Sequence, residues 1–360
     1  MSRLAASLLR RLEASKLYKM IEFKKILVTG GSGFIGSNFI RFIHNKYPDY
    51  KICNLDLLTY AGNPDNLRDL ENSSRYSFVK GDICDPVILT SLFRRNKPGV
   101  VINFAAESHV DRSITNDFHF FRTNLGGVHN LISLVRKYQI PRFIQISTDE
   151  IYGDVDRGTS REHHPIRPSN PYAASKAAAD IVVQSYMRTH QLPLLIVRGS
   201  NNFGPYQYPE KLIPLVTSNM LENKTIPVHG DGLQVRRWIH VDDFCNAIDL
   251  VMHKGKDFSI YNVAGIEISN MEIIKRIAGM LNKDPDKFIY HIADRPGGDR
   301  RYAPDATRIK QELGWKLERP VNRYLTGVVN WYLDNDAWWK KIKKKKEFTT
   351  YYKKQCRAEY

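Results

Sequence analysis

The sequence predicts an α/β protein with a doubly wound parallel sheet and a smaller C-terminal lobe that is partly interleaved with the sheet. Three observations lead to this fold class. Apolar runs rich in β-branched residues alternate with helical patterns over about the first 200 residues, a glycine-rich turn follows the first run, and the later sequence is rich in Pro, Gly and Asn loops. Strands that alternate with helices imply right-handed crossovers and a sheet covered by helices on both faces.

The predicted strands follow one another in chain order, with helical patterns between them. Ligands of doubly wound sheets bind at the carboxyl ends of the strands, so the residues after each apolar run are the first candidates for a site. After about residue 200, the loops SNNFGPYQYPEKLIP and DRPGGDRRYAPD are separated by helices such as the one around NMEIIKRIAGML. The strand sequences are KKILVTG, YKICNLDLL, YSFVKGDI, GVVINFAA, RFIQIS and LPLLIVRGS.

Length and composition are those of an ordinary globular chain, because 360 residues with 42% hydrophobic content can bury a sizeable core. No run approaches the ~18 apolar residues of a membrane span, and the first twenty residues lack the apolar core of a secretory signal. We therefore expect a cytoplasmic protein. The four cysteines lie far apart, which predicts reduced thiols. His109, His163 and His164 lack metal-ligand spacing, so we expect them in loops or at the surface, and we expect no metal site.

The net charge of +16 is concentrated at the two ends of the chain. Residues 1–25 hold seven Lys or Arg against two acids, and residues 340–360 hold nine against two. The body of the chain is therefore nearly neutral, which argues against specific nucleic-acid binding. We expect solvated, disordered tails. For the N-terminal segment, an organelle-targeting peptide is an alternative to an ordinary amphipathic extension.

The turn after the first predicted strand has the features of a dinucleotide site. In TGGSGFIGS, Gly30, Gly33 and Gly36 lie between a strand and a helix. Glycines let the backbone approach a pyrophosphate, whose charge is stabilised by the N–H groups at the helix N-terminus. Asp56 follows Gly36 by 20 residues, where a carboxylate accepts hydrogen bonds from ribose hydroxyls and repels a 2′-phosphate. The sequence therefore predicts a Rossmann domain that binds NAD rather than NADP.

The stretch NPYAASKAAAD predicts a helix that carries a proton-transfer pair. Asn170 is suited to cap the helix and Pro171 to its first position, so Tyr172 and Lys176 lie four residues apart on one face. A nearby ammonium group, helped by a nicotinamide cation, stabilises the phenolate of a tyrosine, whose ordinary pKa is ~10. Tyr172 can then take a proton from a sugar hydroxyl while hydride leaves the same carbon.

Two adjacent acids, Asp149 and Glu150, follow the strand RFIQIS in the stretch STDEIYGD. Consecutive residues of a strand point to opposite faces, so both acids reach one substrate only if the chain begins to turn there. The alternative is a solvated loop. Two carboxyl groups whose surroundings separate their pKa values can act as acid and base.

Together these motifs resemble the extended short-chain dehydrogenase/reductase superfamily and, within it, the dTDP-glucose 4,6-dehydratase family. The similarity runs from about Lys24 to Trp338. Its most specific part is the triplet Thr148, Asp149 and Glu150, since related 4-epimerases lack these acids and other nucleotide-sugar dehydratases carry a different triplet. The motifs that carry the similarity are TGGSGFIGS, DLLTYAGN, GDICD, FAAESHVDRSI, STDEIYGD, PYAASKAAAD, SNNFGPYQYPEKLIP, DRPGGDRRYAPD and ELGW.

The resemblance implies an NAD-dependent hydro-lyase that makes a 4-keto-6-deoxy sugar from dTDP-glucose. Tyr172, with Lys176 and Thr148 nearby, would deprotonate the 4-hydroxyl as hydride passes from C4 to NAD. Glu150 would remove the C5 proton, and protonated Asp149 would give its proton to the departing 6-hydroxyl. Hydride would then return to C6, so the same NAD would be retained through the cycle.

Two sets of binding residues complete the expected site. A diphosphate needs cations and donors, which Lys211 and Arg236 can supply. The family usually has His at the position of Gly298, so the choice between thymine and uracil nucleotides stays open. The expected NAD set is Gly30, Gly33, Phe34, Ile35, Gly36, Asp56, Leu57, Thr59, Asp82, Ile83, Ala105, Tyr172 and Lys176. The expected substrate set is Ser108, Asp111, Thr148, Asn201, Glu210, Lys211, Leu212, Arg236, Arg295 and Tyr302.

These assignments divide the chain into four parts. We expect a basic extension at 1–23, an NAD-binding Rossmann domain at 24–200, a mainly nucleotide-sugar-binding lobe at 201–339 with segments that return to the Rossmann domain, and a basic tail at 340–360. The resemblance suggests a homodimer. The alternatives are a UDP-glucose 4,6-dehydratase, a nucleotide-sugar 4-epimerase that uses Tyr172 and Lys176, and a non-catalytic NAD(H)-binding sensor. The pathway served is open.

Overall fold

Strands and helices alternate through much of the chain in a computed structural model that describes residues 23–358. The strands are β1 (Lys25–Thr29), β2 (Lys51–Asp56), β3 (Tyr76–Lys80), β4 (Val100–Asn103), β5 (Phe143–Thr148), β6 (Leu194–Gly199), β7 (Asn201–Phe203), β8 (Ile226–His229), β9 (Val235–His240), β10 (Ile260–Val263), β11 (Ile266–Ser269) and β12 (Ile289–Ile292). The helices are α1 (Phe34–Lys46), α2 (Pro86–Asn96), α3 (Val110–Thr115), α4 (Phe118–Phe121), α5 (Val128–Lys137), α6 (Pro171–His190), α7 (Leu212–Leu221), α8 (Val241–Lys254), α9 (Asn270–Met280), α10 (Thr307–Leu313), α11 (Val321–Asp334), α12 (Asp336–Lys343) and α13 (Lys346–Cys356).

The central sheet has seven strands in the order β10-β6-β5-β4-β1-β2-β3. Every neighbouring pair in it is parallel. The order reverses direction at β1, as expected for a doubly wound sheet, so the predicted fold class is confirmed. Six of the strands come from the apolar runs predicted in the sequence, and the seventh, β10, comes from beyond residue 200.

Side chains that alternate along the strands fill two apolar layers, one on each face of the sheet. Ile26 and Val28 of β1 belong to a cluster with residues of α1 and α8. Leu27, between them, belongs to a second cluster with residues of α2, α5 and α6. The strands are therefore buried on both faces, which explains their nearly continuous apolar sequences.

The lobe has its own apolar core, formed by residues of α7, α9 and α11 together with Phe203 and Trp238. Its strands form a small mixed sheet, β11-β9-β7, and a parallel pair, β12-β8. The chain passes between the two parts more than once, because α8 and β10 return to the central sheet before β11 enters the lobe. The predicted interleaving of the lobe with the sheet is present.

Residues 336–356 form two packed helices, so the expectation of a solvated tail is wrong for this segment. Trp339 and Ile342 of α12 and Phe348 of α13 are buried. Lys343 is also buried, and its ammonium group pairs with Glu222 at 2.5 Å. The lysine-rich sequence conceals apolar residues at helical spacing, which form the inner faces of the two helices. The N-terminal extension is predicted at residues 1–23, and residues 1–22 lie outside the described part of the chain.

Within residues 23–358, no helix combines the length and the apolar sequence needed to cross a membrane. All four cysteines are free thiols, and Cys53 and Cys245 are buried.

Candidate active site

The turn between β1 and α1 is shaped by glycines that no other residue could replace without a shift of the backbone. Gly30 has a φ of +70°, and a Cβ atom there would lie 2.5 Å from the backbone nitrogen of Ala105. At Gly36, a Cβ atom would lie 2.3 Å from the carbonyl oxygen of Gly30. Gly33 precedes α1, and no side chain caps the N-terminus of that helix. The backbone N–H groups at the start of α1 are therefore available to an anion.

Asp56 lies at the end of β2, beside this turn, and is 8% exposed. Its carboxylate accepts hydrogen bonds from the backbone N–H of Ser32 at 2.9 Å and of Leu58 at 2.8 Å. Burial raises the pKa of Asp56, and the two backbone donors act in the opposite direction. The two bonds hold the carboxylate at the carboxyl edge of the sheet, where its free lone pairs can accept from ribose hydroxyls.

The structure brings all thirteen residues of the expected NAD set together around one cavity of about 250 Å³. The cavity lies at the carboxyl ends of the strands, and its wall includes Asp82 and Ile83 after β3 and Ala105 after β4. Glycines that leave room for a pyrophosphate and an acid beside them are the donor and acceptor arrangement that a dinucleotide requires. The residues present therefore fit NAD.

The two adjacent acids lie where β5 ends and the chain turns. Asp149 and Glu150 begin a short 3₁₀ helix, Asp149–Tyr152. The hydroxyl of Thr148 accepts a hydrogen bond from the backbone N–H of Glu150 at 3.3 Å and donates one to Asp149 Oδ1 at 3.4 Å. Asp149 is 2% exposed, which excludes a solvated loop. The predicted turn is thus present, and it places Asp149 in the interior and Glu150 at the second cavity described below.

The electrostatic surroundings of the two acids differ. Burial and, to a smaller extent, the neighbouring Glu150 carboxylate raise the pKa of Asp149 to about 8. Burial also raises the pKa of Glu150, but the Arg236 guanidinium and the Lys211 ammonium act against it. These cations favour the charged form of Glu150, and a charged Glu150 favours the neutral form of Asp149. Asp149, with a pKa of about 8, therefore carries a proton at neutral pH and can act as an acid.

Tyr172 and Lys176 lie on α6, which begins as predicted. The side chain of Asn170 caps the helix by accepting a hydrogen bond from the N–H of Ala173 at 2.9 Å, and Pro171 occupies the first turn. The Lys176 ammonium donates to the carbonyl of Ile146 at 2.7 Å. Burial lowers the pKa of Lys176 to about 8.

The expected stabilisation of a Tyr172 phenolate is not a property of the chain alone. Burial and the charge of Glu150 raise the pKa of Tyr172, and a hydrogen bond with Thr148 acts in the opposite direction. The cause is the low local dielectric together with two nearby carboxyl groups. A positive charge at the nicotinamide position would offset these effects.

A second cavity adjoins the first, and both are lined by Ser108, Glu210 and Lys211. The second cavity is also lined by Glu150, and it presents Lys211, Arg236 and Arg295, which can donate charged hydrogen bonds to an anionic ligand, beside the acids Glu210, Asp294 and Asp299. Among the expected substrate residues, Asp111 and Thr148 do not line the second cavity. The members of that set that line the cavity are Ser108, Asn201, Glu210, Lys211, Leu212, Arg236, Arg295 and Tyr302.

The cationic and polar groups of the second cavity are held in place by the protein. The Arg236 guanidinium donates to the carbonyl of Asp299 at 2.8 Å and lies 4.1 Å from the centre of the Tyr302 ring. The Tyr302 hydroxyl lies 3.3 Å from Glu150 Oε2 and donates to Asp299 Oδ2 at 2.8 Å. The Lys211 ammonium donates to the carbonyl of Ser108 at 3.1 Å.

Several buried polar atoms at this site have no hydrogen-bond partner among the described residues. They include Asp149 Oδ2, Asn201 Oδ1 and Gln207 Oε1. Buried polar groups are almost always satisfied, so those that line a cavity can be satisfied by a polar ligand bound there. Asn201 and Gln207 line the second cavity directly.

Sequence reasoning missed several residues of the site. Tyr60 and Gln207 line the first cavity, and His229 lines the second. Tyr60 lies within the motif DLLTYAGN, which could have drawn attention to it. His109 lies in the loop before α3, as expected, but it is only 3% exposed and lines the second cavity.

Gly298 also lines the second cavity, and a Cβ atom there would lie 3.0 Å from the carbonyl oxygen of Arg295. Among residues 23–358, no group of three or more His, Cys, Asp or Glu side chains is arranged to hold a metal ion.

Known proteins share the sequence and the fold of this chain. The family model described as GDP-mannose 4,6 dehydratase matches residues 27–326. The dTDP-glucose 4,6-dehydratase of Escherichia coli is 42% identical over 348 residues, which cover 88% of this chain and 96% of that protein. Two solved structures of dTDP-glucose 4,6-dehydratases each cover 88% of this chain and 99% of their own. That from Bacillus anthracis str. Ames, in complex with NAD, has 44% identity and a TM-score of 0.83. That from Streptomyces venezuelae, with NAD bound, has 42% identity and a TM-score of 0.85.

Proposed function

The chain belongs to the dTDP-glucose 4,6-dehydratase family of the extended short-chain dehydrogenase/reductase superfamily, and from this premise we propose that it converts dTDP-glucose to dTDP-4-keto-6-deoxyglucose with retained NAD. The observation that carries the proposal is the pair of adjacent acids, of which Asp149 is buried with a pKa raised to about 8, and Glu150 lines the second cavity near the charges of Arg236 and Lys211. Elimination of water from a sugar needs an acid and a base at neighbouring atoms. A 4-epimerase has no such need.

NAD bound at the glycine turn supplies a hydride acceptor for C4 and later a hydride donor for C6. Gly30 and Gly36 leave room for its pyrophosphate, and Asp56 can accept hydrogen bonds from its ribose. The chain's own groups carry the protons. Tyr172 takes the proton of the 4-hydroxyl, which leaves a ketone at C4 and acidifies the proton on C5.

The two acids then act on neighbouring atoms of the sugar. Glu150, as the base, removes the C5 proton, and Asp149, as the acid, gives its proton to the departing 6-hydroxyl, which leaves as water. Glu150 returns its proton to C5 when C6 is reduced. The proton that Tyr172 gained restores the one that Asp149 lost, so the proton balance of the cycle closes.

The substrate and the reaction are tested together by mass spectrometry of the products. Purified protein is incubated with dTDP-glucose and, separately, with UDP-glucose, without added NAD. We expect a product lighter by one water from dTDP-glucose, with no NAD consumed. A greater kcat/KM for UDP-glucose would assign the uracil nucleotide instead. An isomer of unchanged mass would indicate an epimerase, and binding without turnover would indicate a sensor.

We also infer a homodimer located in the cytoplasm. In support of self-association, Phe118 next to α6 and Ile181 on α6 are large apolar side chains that are 66% and 57% exposed. Exposed apolar side chains of this size on neighbouring helices favour association. Light scattering coupled to size-exclusion chromatography measures the mass directly, and a monomer at micromolar concentration would reject the dimer.

A further inference from the structure

Helix α13 lies beyond residue 326, the last residue of the family match, and contacts both cavities of the site. Phe348 of this helix packs with Tyr208, at 6.1 Å between ring centres, and in one cluster with Tyr60. Tyr60 and Tyr208 line the NAD cavity. Gln355, two turns further along the helix, lines the second cavity. The helix therefore closes one side of the site.

The hydroxyl of Tyr351 joins α13 to two buried residues at the start of α3. It lies 3.0 Å from Asp111 Oδ2 and 2.9 Å from His109 Nδ1. Burial raises the pKa of Asp111, but the Arg295 guanidinium, the two nearby histidines and the Tyr351 hydrogen bond together lower it below its usual range, so this carboxylate is charged. A carboxylate only accepts, so the single phenolic proton goes to Asp111 and His109 donates from Nδ1 to Tyr351. In this group Asp111 is an acceptor, Tyr351 is both a donor and an acceptor, and His109 is a donor.

Asp111 in turn holds Arg295, which lines the second cavity. The carboxylate of Asp111 pairs with the guanidinium Nε of Arg295 and also accepts from Nη2 at 3.4 Å. Asp111 is 3% exposed and does not itself line that cavity. Its position therefore fixes the direction in which Arg295 presents its charge, and Tyr351 fixes the position of Asp111.

A second connection joins α13 to the site through Arg112. The guanidinium of Arg112 lies between the rings of Tyr60 and Tyr351, at 3.7 and 4.2 Å from their centres. It donates to Glu347 of α13 at 3.1 Å and to Glu210 at 3.2 Å. Glu210 lines both cavities. Stacking and charged hydrogen bonds thus tie the helix to the boundary between the two cavities.

Gln355 provides an independent observation that points to a ligand. Its side chain is 5% exposed, and its Oε1 atom is buried without a hydrogen-bond partner among the described residues. Leaving a buried amide oxygen unpaired is costly. Because Gln355 lines the second cavity, a polar ligand bound there can satisfy its amide.

We propose that α13 forms one wall of the nucleoside-diphosphate site, and that its Tyr351 is a positioning residue that orients Arg295, through Asp111, toward the diphosphate. Gln355 presents its amide to the same ligand. The inference rests on the proposed function for the identity of the sugar, but its core concerns the binding of a nucleoside diphosphate. It assigns a binding role to a segment that the charge pattern alone describes as a solvated tail.

The test compares two tyrosines of the same helix. Tyr351→Phe removes the hydroxyl that holds Asp111. Tyr352→Phe is the matched control, since its hydroxyl accepts from Asn219 at 2.7 Å and donates to the carbonyl of Thr225 at 3.2 Å, away from the cavities. Loss of one bond to a charged group predicts a rise of about tenfold in the Kd of dTDP and the KM of dTDP-glucose for Tyr351→Phe. We expect kcat to change by less than about twofold, and Tyr352→Phe to change neither constant.

Titration calorimetry with dTDP and steady-state kinetics provide the measurements, with thermal unfolding as a check that both variants fold. Equal effects of the two substitutions, or a loss of kcat at constant KM, would overturn the proposal. If Tyr351→Phe does not fold, Gln355→Ala takes its place and should also raise the Kd of dTDP; an unchanged Kd would reject the role of α13. Absence of dTDP-glucose turnover in the unmodified protein would refute the proposed function, while the dTDP titration would still decide the role of the helix.

Discussion

At the scale of single residues, the acids at 149 and 150 occupy adjacent positions but different surroundings. Burial raises the pKa of both groups, but at Glu150 the charges of Arg236 and Lys211 act against burial, whereas at Asp149 the charge of Glu150 adds to it. A functional division follows, because the same pair would be useless for elimination if both groups were charged. The division can be tested one group at a time.

Replacement of Glu150 by Gln should separate oxidation from elimination. The variant keeps Tyr172, Lys176 and the cofactor site but lacks the base for C5. In a single turnover, NADH absorbance should therefore rise and persist, with little exchange of the C5 hydrogen into deuterated water. Tyr172→Phe, by contrast, should slow the rise itself. If Glu150→Gln blocks NADH formation as completely as Tyr172→Phe does, the acid only shapes the cavity.

The pH dependence of elimination should report the protonation of Asp149. An acid with a pKa of about 8 donates a proton below that pH and loses this ability above it, so water loss should slow as the pH rises through about 8. Lys176 has a pKa lowered to about 8 and affects the oxidation step in the same range. The two steps are resolved by stopped-flow absorbance and rapid-quench mass spectrometry. In Asp149→Asn, water loss should be slow at every pH and oxidation should keep its profile; an unchanged profile for water loss would exclude Asp149 as the donor.

The residues found from the sequence are those whose partners lie close along the chain. The acids of STDEIYGD, the glycines of the first turn and the pair on α6 each belong to a short motif with a local geometry. Tyr351 could not be found in this way, because its partner Asp111 is 240 positions distant. The raised pKa of Tyr172 was also beyond local reasoning, since burial and the carboxyl groups responsible for it come from other elements.

At the scale of elements, the first turn of α6 positions Tyr172, the proton acceptor that we propose. The side chain of Asn170 accepts a hydrogen bond from the backbone N–H of Ala173, the residue that follows Tyr172. Asn170→Ala should cost about 1 kcal/mol of unfolding free energy and should also lower kcat, because the start of the helix becomes less ordered. Ser269 caps α9 in the lobe by accepting from Glu272 at 3.2 Å, so Ser269→Ala is the matched control. It should lose comparable stability in denaturant titration and retain its kcat. Equal kcat losses would show that general destabilisation is responsible.

The elements missed by sequence reasoning were concealed by composition. The lysines around α12 and α13 suggested a disordered tail, although Trp339, Ile342 and Phe348 recur at spacings suited to two amphipathic helices. Strand β10 was missed because its four residues lie among loops, where a short apolar run is not distinctive. Its partner, β6, was predicted, but pairing between them depends on the whole chain between residues 199 and 260.

At the scale of the whole molecule, the two cavities meet at shared residues from both parts of the chain. Ser108 comes from the loop after β4, and Glu210 and Lys211 come from beyond residue 200. Hydride donor and sugar can therefore be held together only when the lobe is packed on the sheet. The sequence predicts an NAD site and a nucleotide-sugar site separately. The structure shows that Ser108, Glu210 and Lys211 line both cavities.

The pairing of β10 with β6 determines how a fragment of this protein that ends at residue 200 should behave. All six residues of β6 are buried, and β10 covers their outer edge through a parallel register from Ile260 with Ile196 to Val263 with Gly199. A fragment 23–200 would present that apolar edge with unpaired backbone groups, which is a template for intermolecular strand addition. We expect such a fragment to aggregate in light-scattering measurements. The same fragment joined by a flexible linker to residues 241–264, which supply α8 and β10, should scatter far less. A monomeric 23–200 fragment would show that the sheet tolerates an open border.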